Sequence, residues 1–300
     1  MTAEERPGVE RDQFAALYPF ESRFLGLGGV RYHYLDEGRG EPVVMVHGNP
    51  TWSFYYRHLI IEMRKKWRII APDHAGCGLS DKPQRYDYRL ERHIANLEAL
   101  VQHLALKKIT LVMHDWGGPV AMGYAVRHPE NVKRFVVFNT AAFWLPHIPL
   151  ILRLCRLPVL GAVVVRGLNL FALVATVVAC RRRERMTRDV REGYLLPYDS
   201  YRHRIAILRF VEDIPVDARH PSYRLLRSIE EGLAQFRRHP MIIIWGGRDP
   251  VFTDPFLASW QERFPQAIVK RLDDAGHYVV EDAHERIVPW IGDFMEHSPI

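Results

Sequence analysis

Short, almost unbroken apolar runs alternate with helix-length amphipathic stretches along most of the chain. Residues 42–47 (PVVMVH), 67–72 (WRIIAP), 109–114 (ITLVMH), 134–139 (RFVVFN) and 241–245 (MIIIW) are short and β-branched. Such runs suit parallel strands buried on both faces, whereas strands with one wet face alternate. Residues 24–37 do alternate and contain Gly28-Gly29, which predicts an antiparallel hairpin. Residues 267–272 supply an eighth, shorter strand. Helical spacing covers 89–106, 117–128 and 283–296. The expected class is α/β, a mostly parallel eight-stranded sheet flanked by helices.

The rhythm stops after Asn139. From there to about Ile214 the chain reads as helices punctuated by Pro146, Pro149, Pro158 and Pro197. This predicts two bodies, a core of residues 1–139 and 215–300 and an inserted helical cap of residues 140–214. Active sites of open α/β sheets lie at the carboxyl ends of the strands, where such an insertion can cover them. Within the cap, residues 157–180 (LPVLGAVVVRGLNLFALVATVVAC) are apolar apart from Arg166 and long enough to span a bilayer. The chain must return to the same sheet afterwards, which disfavours a span. A pair of buried cap helices broken near Gly161 and Gly167 is the first reading. An interfacial membrane contact is the second, because Arg181, Arg182, Arg183, Arg185, Arg188 and Arg191 follow at once.

Composition changes this picture little. Of 300 residues, 48% are hydrophobic and 25% charged, enough apolar material for a large core. The net charge of +6 is not accompanied by a zinc-ligand spacing or an RNA-binding aromatic motif, so no nucleic-acid partner is expected. Cys77, Cys155 and Cys180 are odd in number and irregularly spaced, which implies no disulfide framework. The polar first residues, MTAEERPGVERDQ, do not resemble a targeting signal, and a cytoplasmic location is expected.

The strongest chemical signal is Val112-Met113-His114-Asp115-Trp116-Gly117-Gly118. An apolar strand ends abruptly and two glycines open a helix. α/β-Hydrolases hold their nucleophile on such a strained elbow, usually as Gly-x-Ser-x-Gly. Here the nucleophile position is Asp115, and Met113 replaces the first glycine. Asp115 could instead be a helix N-cap. Two partners favour the catalytic reading. Asp249 follows the 241–245 strand in Trp245-Gly246-Gly247-Arg248-Asp249-Pro250, and His277 follows the last strand in Asp274-Ala275-Gly276-His277. The order nucleophile, acid, base matches the α/β-hydrolase order. His47-Gly48-Asn49-Pro50 lies after the 42–47 strand, where backbone amides, the Asn49 side chain and the Trp116 indole can face an anion.

A carboxylate nucleophile displaces a leaving group at saturated carbon and forms an alkyl ester. His277 can then activate water against that ester, with Asp249 fixing the imidazole tautomer. Asn49 and Trp116 would hold the departing anion. This chemistry calls for neither cofactor nor metal, and for a small hydrophobic substrate.

Over nearly the whole chain the sequence resembles the haloalkane dehalogenase family. The matching motifs are His47-Gly48-Asn49-Pro50-Thr51-Trp52, His114-Asp115-Trp116-Gly117-Gly118 and Asp274-Ala275-Gly276-His277, with a structural loop from Pro72 to Pro83. The resemblance implies Asp115 as nucleophile, His277 as base and Asn49 with Trp116 as the halide-binding pair. Some members carry the acid as Glu after the preceding strand. Here that neighbourhood reads Phe138-Asn139-Thr140, so Asp249 is the better match. Epoxide hydrolases usually have Phe where Asn49 stands and use two cap tyrosines, for which Tyr194, Tyr198 and Tyr201 are candidates. Fluoroacetate dehalogenases have Arg where Trp116 stands and fit poorly.

A nearer resemblance is to the olefin-biosynthesis β-lactone decarboxylases, a branch of that family. It rests on Tyr18-Pro19-Phe20-Glu21-Ser22, Asn49-Pro50-Thr51-Trp52-Ser53-Phe54-Tyr55-Tyr56-Arg57, Asn139-Thr140-Ala141-Ala142-Phe143 and Pro197-Tyr198-Asp199. It implies conversion of long-chain cis-β-lactones to cis-olefins and carbon dioxide, within an assembly of pathway enzymes. An apolar cap suits two alkyl chains. Haloalkane hydrolysis is the alternative reading. A binding protein that has lost catalysis is a third, opposed by the intact triad.

Overall fold

A computed structural model describes residues 11–146 and 149–298 of the chain. Eight strands form one sheet: β1 (Arg23–Leu27), β2 (Val30–Glu37), β3 (Pro42–Val46), β4 (Arg68–Pro72), β5 (Ile109–Asp115), β6 (Val132–Thr140), β7 (Met241–Gly246) and β8 (Ile268–Leu272). Their order across the sheet is β1-β2-β4-β3-β5-β6-β7-β8. β2 runs antiparallel to both β1 and β4, and every pairing from β4 to β8 is parallel. The mostly parallel sheet expected from the apolar runs is therefore present. β5 lies near the middle, with Val43 to Val46 of β3 on one side and β6 on the other.

The helices are α1 (Arg11–Leu17), α2 (Arg57–Met63), α3 (Leu90–His103), α4 (Gly117–Arg127), α5 (Leu150–Cys155), α6 (Pro158–Gly161), α7 (Leu170–Val178), α8 (Arg188–Leu195), α9 (Ile205–Glu212), α10 (Tyr223–Gly232), α11 (Asp254–Arg263) and α12 (Val279–His297). A π-helical stretch, Ala162–Gly167, joins α6 to α7. The unbroken apolar strands bury both faces, as their composition requires. In β7, Met241, Ile243 and Trp245 pack with α3, α4, α10 and α11, while Ile242 and Ile244 pack with α2 and α12. The chain from α5 to α9 lies between β6 and β7 in sequence and forms its own small apolar cluster of Cys155, Val165, Ala172, Tyr198, Ile207, Leu208 and Val211.

Two element ends differ from the sequence pattern for local reasons. The helix expected over 89–106 stops at His103, because Ala105 turns into the left-handed region at φ +50°. The last helix begins at Val279, four residues before the expected start, and is broken at Ala283. The apolar stretch 157–180 departs more seriously from the buried-pair reading. Val165 and Ala172 are buried, but Val159, Val163, Leu168, Val174 and Val177 face outward.

Polar groups buried at the seams hold these layers in place. Asp73, after β4, accepts from the backbone N–H of Ser53 (2.7 Å) and Leu79 (2.8 Å). A side chain on Gly78, at φ +47°, would strike that carboxylate, so the 72–83 loop needs glycine there. Arg57 on α2 makes a fully buried bidentate pair with Glu281 on α12, at 2.7 and 2.8 Å. The Tyr194 hydroxyl of α8 donates to the same carboxylate at 2.9 Å. The Arg57 guanidinium also lies over the Phe54 ring. Burial opposes ionisation of Glu281, but Arg57 and His58 outweigh it and hold the carboxyl far below its usual range.

Removing one member of a buried pair leaves an uncompensated charge out of water. Glu281→Gln should therefore lower unfolding free energy by about 3 kcal/mol in urea titrations. A change within a few tenths would show that the pair is dispensable.

Candidate active site

β5 ends at Asp115, whose backbone lies in the left-handed region at φ +51°. Aspartate is among the few side-chain-bearing residues that visit this region, at a cost the surroundings must impose. They do so by close approach. A Cβ on Gly117 would overlap the Val46 carbonyl of β3, and one on Gly118 would overlap the Thr140 hydroxyl of β6. A Cβ on Gly48 would fall on the Asp115 carboxylate itself. The Thr140 hydroxyl donates to the Asp115 carbonyl. Three glycines and one threonine thus wedge the turn between its neighbouring strands.

The carboxylate does not act as a cap on α4, where the N-cap position is Trp116 and no side-chain cap bond forms. Instead Oδ1 accepts the Asn49 backbone N–H at 2.7 Å. Oδ2 lies 3.8 Å from His277 Nε2. His277 Nδ1 is 2.7 Å from Asp249 Oδ2, and Asp249 Oδ1 accepts the backbone N–H of Val251 (2.7 Å) and Phe252 (3.1 Å). Nδ1 thus faces the Asp249 carboxylate, and Nε2, the other ring nitrogen, faces Asp115. The five sequence candidates Asp115, His277, Asp249, Asn49 and Trp116 thus gather at the carboxyl ends of β3, β5, β7 and β8.

Burial pushes the Asp115 carboxyl up, against the opposing pull of His277 and of the Asn49 and Trp116 amides. Burial disfavours the charged form of His277, but the Asp249 carboxylate, its hydrogen bond and Asp115 outweigh that and raise the imidazole. Adjacent groups keep the ring in place. His114 Nε2 bonds the His277 carbonyl at 2.9 Å, and the Phe252 ring stacks on the imidazole. Asp282 accepts the Gly276 N–H at 2.7 Å and the backbone N–H groups of Arg181 and Arg182, tying the His277 loop to the segment after α7. Sequence reasoning missed Asp282; its only signal was an acidic pair, Glu281-Asp282, on an otherwise apolar run.

Asn49 is placed differently from expectation. Its side-chain N–H donates to the Ile207 carbonyl of α9 at 3.1 Å, and its backbone N–H meets Asp115. The Asn49 Oδ1 is buried without a hydrogen-bond partner. Trp116 stands in the pocket wall, its ring against Phe210 of α9. Asn139, where some dehalogenases carry their acid, is occupied elsewhere: its side chain bonds both the N–H and the carbonyl of Gly246. Asp249 remains the acid that reaches His277.

Asp115 opens into a pocket walled by Trp116, Phe143, Leu145, Leu152, Phe252 and Phe256, among others. Among the described residues lining it, Asp115 is the one ionisable side chain. Tyr194, Tyr198 and Tyr201 are not in its wall. Tyr194 serves Glu281, Tyr198 is buried against the Thr51 carbonyl, and the Tyr201 ring lies under Arg166. These three tyrosines therefore place no proton donor in the pocket wall.

An acid-anchored imidazole facing a carboxylate on a strand-to-helix elbow, over a mostly parallel sheet, defines a class. The chain belongs to the α/β-hydrolase fold family, whose model matches residues 41–283. It is an enzyme of that family, related to decarboxylases and, at lower identity, to dehalogenases. It is 48% identical over 285 residues to the cis-3-alkyl-4-alkyloxetan-2-one decarboxylase of Shewanella oneidensis, covering 93% of this chain and 89% of that one. The protein of the same name from Xanthomonas campestris pv. campestris is 42% identical over 91% of this chain and 94% of its own. Haloalkane dehalogenase 2 of Mycobacterium tuberculosis is 33% identical over 90% and 93%. Among solved structures, haloalkane dehalogenase DbeA from Bradyrhizobium elkani superposes with a TM-score of 0.83 at 22% identity, over 93% of this chain and 100% of its own, which speaks to the fold alone.

The raised His277 titration depends on Asp249. Asp249→Asn should bring the His277 midpoint, followed by NMR, down below that of the unsubstituted protein. An unchanged midpoint would remove Asp249 as the partner.

Proposed function

We propose that the enzyme decarboxylates long-chain cis-β-lactones to cis-olefins, with Asp115 as nucleophile. The observation that carries this is one buried carboxylate at the base of an otherwise apolar pocket. Support for the lactone comes from the two decarboxylase relatives, whose names specify a cis-3,4-dialkyl oxetan-2-one, the ring of a β-lactone. A pocket without a second charge suits a substrate whose substituents are alkyl chains.

On this reading Asp115 attacks ring carbon 4 from the side opposite the ring oxygen. The new carbon–oxygen bond forms an alkyl ester, and the ring carbon–oxygen bond breaks with its electron pair, freeing a β-carboxylate. Loss of carbon dioxide then delivers the carbon–carbon pair to the new double bond, and the ester's alkyl carbon–oxygen bond breaks to return the Asp115 carboxylate. Inversion followed by anti elimination keeps the alkyl groups cis. No water is consumed. His277, raised by Asp249, stabilises the anionic partners. The Trp116 indole and the Asn49 amide, once it leaves the Ile207 carbonyl, receive the freed carboxylate. We place the reaction in the cytoplasm.

Haloalkane hydrolysis is the second reading, favoured by the dehalogenase relatives. There His277 has a different task, because its Nε2 must activate water against the alkyl ester.

The two readings separate in a paired assay. Purified protein incubated with a long-chain cis-β-lactone should yield olefin by gas chromatography far faster than a bromo- or iodoalkane yields halide. Asp115→Ala should lower olefin formation by about 10⁴-fold or more. Rapid halide release without olefin would overturn the lactone assignment, and turnover surviving in Asp115→Ala would remove the nucleophile. With an iodoalkane, His277→Gln should release halide in a single burst and leave the alkyl group on the Asp115 peptide, detected by mass spectrometry. Sustained halide turnover in that variant would sink the role given to His277.

A further inference from the structure

The helices from α5 to α7 turn an apolar surface outward. Twelve large apolar side chains between Leu150 and Val178 are at least 40% exposed, led by Val159 at 78% and Leu150 at 72%. Across residues 150–178 every exposed residue is apolar, Pro158 or Gly167, with Arg153 the single exception. Along α7 the exposed set is Leu170, Val174, Val177 and Val178, the i, i+4, i+7, i+8 stripe of one helix face. The opposite face, Ala172 and Thr176, is buried, and Ala172 packs in the cluster with Tyr198, Ile207 and Leu208. Isolated exposed valines are ordinary; a run of this length without polar interruption is not.

Charge borders the same surface. Residues 150–191 hold nine arginines against Glu184 and Asp189, seven net positive charges, while the entire chain nets +6. Some of these arginines are engaged within the protein: Arg182 pairs with Asp274 and Glu285, and Arg185 with Glu285. Arg153 and Arg183 are exposed and make no ion pair among the described residues.

An apolar face that carries the exposed Arg153 and is followed in the chain by the exposed Arg183 matches the boundary of an anionic bilayer, where acyl chains meet negative headgroups. Among the described residues no single helix is long and apolar enough to cross a membrane. The segments Pro158–Gly167 and Leu170–Val178 pass that test only together and are bent by 66°. Because their inner side is committed to the α9 cluster, only one side is available to lipid. We propose that α5–α7 form an interfacial docking surface for an anionic phospholipid membrane. α5 carries Leu150, Ile151 and Leu154 outward and Leu152 into the pocket wall. The lipid face and the pocket therefore share one helix. If the substrate reading above holds, a long-chain lactone dissolved in the bilayer passes to Asp115 without crossing water.

Sedimentation with vesicles tests the surface without reference to turnover, so its failure is separate from failure of the lactone assignment. The full chain should sediment with vesicles of phosphatidylglycerol and phosphatidylcholine in equal parts, and less with phosphatidylcholine alone. Val159→Glu combined with Val174→Glu should reduce the bound fraction about tenfold. Arg153→Glu with Arg183→Glu should remove the preference for phosphatidylglycerol. Circular dichroism melts of these surface variants should match the parent. Absence of sedimentation with either vesicle at low ionic strength would overturn the proposal, as would binding unchanged in the double glutamate variant. Self-association abolished by the same pair, without vesicle binding, would reassign the face to a second copy of this chain. Capture by a purified partner enzyme alone would reassign it to an assembly.

Discussion

A carboxylate kept nearly out of water on a left-handed turn is the constraint on which the site is organised. Burial alone favours the neutral acid at Asp115. The Asn49 amide, the Trp116 amide and the His277 imidazole oppose that effect, converging on the carboxylate from three different elements. Each of these needs the elbow to sit where it does. The elbow in turn depends on bare glycine surfaces at 48, 117 and 118, since the adjacent carbonyl, hydroxyl and carboxylate already fill the space. Backbone strain at Asp115, close packing of β3 and β6 against the turn, and the charge state of its carboxyl are therefore parts of one arrangement.

Around that centre the molecule uses buried polar groups sparingly and at joints. Asp249 spends one oxygen on His277 and the other on its own loop. Asp282 gathers N–H groups from the His277 loop and from the segment following α7. Glu281 joins α12 to α2 through Arg57 and to α8 through Tyr194. Consecutive residues 281 and 282 thus fasten α8 and the segment after α7 to the His277 loop. The pocket between them stays apolar except for Asp115, and the outer face of α5–α7 is apolar as well. One short helix, α5, contributes to both surfaces, so substrate access and the exposed face are geometrically linked.

The parallel strands were legible because a strand buried on both sides is almost wholly apolar: β3 and β7 carry no charged or hydroxyl side chain, and β5 carries only Thr110 before His114-Asp115. The candidate site was legible because Asp115, Asp249 and His277 stand at strand ends in chain order, and the structure brings them together. Helix ends were read less well. Ala105 enters the left-handed region and α12 begins before its apolar periodicity becomes clear. These are decided by tertiary packing rather than by local preference. Tyr194, Tyr198 and Tyr201 illustrate the same limit: residue type suggested proton donors, and position committed them to Glu281, the Thr51 carbonyl and Arg166.

Sequence by itself determined the sheet, the elbow and the identity of the triad candidates, since each follows from hydrophobic pattern or from residue type at a strand end. Tertiary structure alone decided three further matters. It set the Asn49 side chain on Ile207 and its backbone on Asp115, because α9 lies within hydrogen-bonding reach. It enclosed Asp115 with residues as distant in sequence as Leu152 and Phe256, which no local pattern relates. It also turned half of the 157–180 stretch outward. Hydrophobicity says that a side chain gains by leaving water, but only the packed neighbours determine whether protein is there to receive it.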